Sequence, residues 1–159
     1  MELCELAQQR GLGAMHDSEF MPAAVKMRVL KQWEVFLRSG CSREKFTKQL
    51  YNHLIMHCSF IAHYDINGFY ATYFESGDDT VRFLSQFDDS KGMPRSVEYG
   101  MTYWLTDEEY YDINCEMVHI AGKYIPVLVK QAEAQQRHHD IHRAQLLLAK
   151  HGITFSEEE

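Results

Sequence analysis

From Met21 to Leu37 the apolar positions Val25, Val29, Leu30, Trp33 and Leu37 recur at helical spacing, with Pro22 suited to a first turn and Ser39-Gly40 to a stop. Ser42, followed by Lys45 and Phe46, opens a further helix predicted to reach about Ala62. On it Phe46, Leu50, His53, His57, Phe60 and Tyr64 share one stripe. That stripe should face a core, so both histidines are expected to be inaccessible. A turn is expected at Asn67-Gly68, with Phe69 to Phe74 continuing as a helical turn, and Asp78 to Phe87 reads as a short helix carrying Val81, Leu84 and Phe87 inward. Thr106 with Glu109 resembles a capping box. It opens a run of about 45 residues with Tyr110, Ile113, Met117, Ala121, Tyr124 and Leu128 at core spacing, a possible kink at Pro126, and a stop at Gly152. A short amphipathic helix is expected over Glu2 to Arg10.

The pattern predicts an all-α helical bundle of four to five main helices with a long C-terminal helix. Residues 1–159 form one domain, because 159 residues suit a single core, and Asp88 to Met101, with Gly92, Pro94 and Gly100, reads as a surface loop or lid. Apolar residues make up 45% of the chain, enough to exclude a disordered class.

Charge narrows the partners. Lys and Arg total 16 against 23 Asp and Glu, a formal charge of −7, and no basic run makes a phosphate-tracking stripe, so nucleic acid is not expected as a partner. No apolar run approaches a membrane span and the N-terminus lacks a secretion signal, which predicts a cytoplasmic protein with no membrane partner. The cysteines at 4, 41, 58 and 115 include no CxxC pair, so neither a zinc knuckle nor a disulfide framework is indicated, and Cys58 and Cys115 are expected in the core or on a helix face. Val118, Ile125 and Val129 lie on a further side of the long helix, a candidate homodimer face.

Histidine is the residue type that suggests chemistry. Five of the nine histidines pair at one-turn spacing, His53 with His57, and His138 or His139 with His142. Two neutral imidazoles on one turn can share an ion when another helix supplies a third ligand, leaving a position for water or substrate. The plainer alternatives are hydrogen-bonded core histidines for the first pair and a solvated cluster beside Arg137 and Arg143 for the second. Glu116 and His119 have the spacing of a di-iron ligand pair, but they align with Asp112 and Lys123 as one polar face expected to be wet, and no second such pair exists. No glycine-rich phosphate loop, nucleophile elbow or Ser-His-Asp order is present.

The segment His138-His139-Asp140-Ile141-His142-Arg143-Ala144-Gln145, with Leu146 to Leu148 and Gly152 beyond, resembles the last-helix motif of the DinB-like helical-bundle superfamily, in which HxxxH is followed by Arg, a small residue and Gln. The resemblance implies a divalent metal ion, nickel, zinc or iron, held by one histidine of an early helix and the late pair. Carried onto this chain the histidine triad is His53, His138 and His142, with His57 as the alternative to His53. It implies a metal-binding protein, as an enzyme a metal-dependent transferase acting on a small thiol or related small-molecule substrate, with no catalytic residue singled out. The alternative reading is a non-catalytic acidic helical interaction protein that binds a protein partner, with Phe69 to Phe74 in its docking surface.

Overall fold

The computed structural model describes Asp17 and residues 21–58, 60, 65–90, 92, 94 and 108–154, with side chains from 113 onward in the last stretch. The expected helix over Glu2 to Arg10, the Thr106 capping box, and most of the Asp88 to Met101 loop lie outside the described residues. The element order is α1 (Ala23–Arg38), a 3-10 turn (Arg43–Lys45), α2 (Lys48–His57), α3 (Ile66–Phe74), α4 (Gly77–Ser85) and α5 (Glu108–Lys150). Among the described residues there is no strand, and no helix is long and apolar enough to cross a membrane.

The caps explain the boundaries. Pro22 cannot cap α1 with a side chain, and Asp17 Oδ1 accepts from the Ala23 N–H instead, at 2.8 Å. At its other end Gly40 adopts φ +79°, and the Gly40 and Cys41 N–H groups bond back to Leu37 O and Phe36 O, a Schellman ending of the kind Ser39-Gly40 foretells. The helix expected from Ser42 begins later. Phe46 is extended and the Thr47 Oγ1 accepts from Leu50 N–H at 3.1 Å, so α2 starts at Lys48 and ends at His57. Asn67-Gly68 is the first turn of α3 rather than a reverse turn, because Asp65 Oδ1 accepts from the Gly68 N–H at 2.8 Å and caps the helix ahead of them. Ser76 does the same for α4 through the Asp79 N–H.

α5 runs for 43 residues with Pro126 inside it. Proline there removes the bond to Gly122 O, and the helix continues through it. The C-terminus is a second Schellman ending: Gly152 takes φ +73° while Gly152 N and Ile153 N bond to Ala149 O and Leu148 O.

The core is aromatic. Trp33 on α1 is fully buried, stacks with Phe36, and meets Phe83 and Phe87 at 6.1 and 4.7 Å between ring centres. Phe46, Phe69, Phe74 and Phe60 extend that cluster, so the Phe69 to Phe74 stretch offered as a docking surface instead buries both phenylalanines in the core. Trp33 Nε1 donates to Met117 O at 2.9 Å, Lys123 pairs with Glu34 at 3.8 Å, and Gly40 lies near Gln131, which sets α1 parallel to α5. Trp33→Phe loses that buried bond and part of the ring, and thermal unfolding should report a loss of about 1–2 kcal/mol.

α4 runs antiparallel to α5, with Gly77 against Ala132 at one end and Phe83 at the Trp33 level at the other. The body therefore encloses α5 up to about Ala132. Val118 is buried, and Ile125 and Val129, partly buried, pack against the core.

Candidate functional site

Two histidine groups occupy different parts of the molecule. The inner one joins α2 to α5. His53 is 3% exposed, and its imidazole lies 5.0 Å from that of His57, which is half-buried. Asn114 on α5 sits between the helices: its Nδ2 donates to His57 O at 2.9 Å, which turns its Oδ1 toward His53 Nε2 at 2.9 Å and Cys58 Sγ at 3.6 Å. An amide oxygen can only accept, so this network assigns the proton of His53 to Nε2. Nδ1 is then a bare lone pair in the interior, and no donor among the described residues meets it.

Burial, reinforced by His57 and opposed by the Asn114 hydrogen bond, lowers His53 from 6.5 to about 3. Burial likewise lowers His57 to about 4. The Cys58 thiol is pushed up by burial and Cys41 to about 12, so both stay protonated and neither is an activated nucleophile. The inner group is thus a neutral polar tie between two helices. Sequence reasoning placed His53 correctly in the core but missed Asn114. The available signal was a poor helix former standing on the same face as Val118 and Ala121.

The outer group lies on distal α5, where His138, His139 and His142 are exposed. They line a cavity of about 360 Å³ together with Gln135, Gln136 and the α3–α4 junction, Glu75, Ser76 and Gly77. The junction comes this close because residue 77 is glycine. A Cβ there would stand 2.0 Å from Ala132 O and 3.0 Å from Gln136 Cβ. Gln136 Oε1 accepts from Asp78 N–H at 3.2 Å and holds the junction down.

The structure does not bring the implied triad together. His53 meets α5 at Asn114, and at about 1.5 Å of rise per residue the helix carries His138 roughly 36 Å farther on. His57, one turn from His53, is equally remote, so neither serves with His138 and His142. Glu75, which sequence reasoning did not consider, is the acidic side chain that shares their cavity. Among the described residues no three His, Cys, Asp or Glu side chains are already gathered as a metal-binding set.

Glu116 corrects a further expectation. It is 4% exposed rather than wet, because α1 covers this side of α5 through Trp33, Leu30 and Glu34. Burial raises its carboxyl, opposed by His119 and Lys123, and no partner among the described residues meets its Oε2. No protein-family model, curated protein or solved structure matches the chain.

Proposed function

We propose that this protein binds a divalent transition-metal ion, nickel, zinc or iron, at the cavity between distal α5 and the α3–α4 junction. His142 is the central ligand, His138 pairs with it across one turn, and Glu75 supplies a carboxylate from another element. The observation that carries the reading is that one cavity is lined by Glu75 and by both one-turn pairs that share His142. Imidazole and carboxylate suit these ions. The side chains are exposed and must close onto the ion, so the site keeps water in its remaining positions and holds metal less tightly than a preformed cage. The buried cysteines at 41, 58 and 115, none of them in a disulfide, fit a reducing, cytoplasmic setting.

Titration of metal-free, tag-free protein with nickel or zinc tests it. His142→Ala should weaken binding by about tenfold or more, Glu75→Gln by less, and His151→Ala, outside the cavity, should leave it unchanged. Binding should also weaken on acidification, since imidazole coordinates only when neutral. Equal affinity for wild type and His142→Ala would sink the site and leave the late histidines a solvated cluster.

A further inference from the structure

A separate cavity lies between α1 and α5, roughly 27 Å short of His138 along the long helix. It is a groove of about 280 Å³ lined by Met27, Arg28, Leu30, Lys31 and Glu34 of α1 and by Ile120 of α5. Leu30 and Ile120 are 0% and 2% exposed and form its floor, while Met27, 43% exposed, stands at its mouth. A lone exposed methionine on a helix is ordinary. This one extends an apolar wall that core side chains already provide, and its unbranched thioether can fold over whatever occupies the groove.

Charge gives the groove a sign. Arg28 and Lys31 stand three residues apart on α1 and so share one side of it. Both are exposed, and among the described residues neither makes an ion pair or a hydrogen bond. Glu34, the acidic lining residue, is already compensated by Arg38 at 3.3 Å and Lys123 at 3.8 Å, and Glu116, one turn before Ile120, does not line the groove. Two uncommitted cations beside an apolar floor suit a ligand that is apolar along its length and anionic at one end. The chain as a whole carries a charge of −7, so an anion held here is drawn by these two side chains and not by the general field. Size narrows the occupant further. At about 30 Å³ for a water-sized group the groove has room for about nine such groups, the bulk of a short alkyl chain and far less than a partner helix some 10 Å across.

The geometry points to a binding site for a medium-chain carboxylate in this groove, with the alkyl chain laid over Leu30, Ile120 and Met27 and the carboxylate held by Arg28 and Lys31. It does not rest on the proposed metal site, since no residue lines both cavities. Recognition comes from one sheltered chain and one pair of cations, so affinity is modest and rises with chain length until the groove is filled.

Isothermal titration of the full chain with sodium decanoate, kept below the concentration at which it forms micelles, tests the inference. One saturable site with a dissociation constant of about 0.1–1 mM is expected for a ligand of this size. Hexanoate should bind about tenfold more weakly or worse, because each methylene withdrawn from water contributes to affinity. Arg28→Gln with Lys31→Gln should weaken decanoate by about tenfold with an unchanged far-ultraviolet spectrum, and Met27→Asn should weaken it several-fold. Decyltrimethylammonium, with the same chain and the opposite charge, should show no saturable binding. Failure of decanoate to saturate, or an affinity indifferent to the Arg28 and Lys31 pair, overturns the site. Equal binding of the cationic amphiphile overturns recognition of the anion. Phosphatidylglycerol vesicles present alkyl chains and anionic heads as a surface, and a chain that sediments with them yet does not bind decanoate would overturn the free carboxylate as the ligand.

Discussion

Gly77→Ala is expected to destabilise the protein by about 3–5 kcal/mol, because the contact it violates is backbone against backbone and cannot be relieved by rotating a side chain. The added methyl would stand 2.0 Å from Ala132 O and 2.9 Å from its carbonyl carbon. Relief requires α4 to retreat from α5, which opens the packing of Phe83 and Leu84 and withdraws Ser76 and Glu75 from the late histidines. Residue 77 begins a helix and has no positive φ, so alanine should otherwise be favourable there. Urea unfolding of wild type and Gly77→Ala measures the effect, and a loss below about 1 kcal/mol would show that the α4–α5 approach is looser than the structure has it.

Acid should weaken the fold well above the range in which carboxylates titrate. His53 has its ordinary value of 6.5 when unfolded and about 3 when folded, so below pH 6.5 the unfolded chain takes up a proton that the folded chain refuses. Stability from this group is complete above pH 6.5 and is lost as the pH falls toward 3. At pH 4.5 the loss from His53 alone is on the order of 2–3 kcal/mol, taking about 1.4 kcal/mol per pH unit, and His57 acts in the same direction. His53→Gln keeps an N–H donor for Asn114 and cannot titrate. It is expected to be somewhat less stable at pH 7, yet to lose less between pH 7 and 4.5. Parallel pH profiles for the two proteins would show that His53 is not held neutral by the α2–α5 contact.

Much of the architecture is legible in the residues themselves. The stripe through Val29, Leu30, Trp33 and Leu37 and the run through Ile113, Met117, Ala121 and Leu128 are statements about periodicity, and both helices bury those positions. The stops at Gly40 and Gly152 depend on a positive φ that glycine adopts freely, so they too are local. The burial of His53 follows from its place among Leu50, Leu54 and Phe60.

What lies beyond the sequence is how far apart its motifs end up. The one-turn spacings of His53 with His57 and of His138 with His142 are real features of the chain, but whether the pairs meet depends on where α2 crosses α5. It crosses at Asn114, far from the late pair. Glu116 belonged to a polar stripe by periodicity and became buried because α1 lies over it. Glu75 carries no motif and joins the outer cavity only because Gly77 lets the α3–α4 junction approach Ala132. Helical periodicity is set by the geometry of one backbone, so local sequence determines it. The register and contact of one helix against another depend on packing between residues far apart in the chain, and that only the tertiary structure decides.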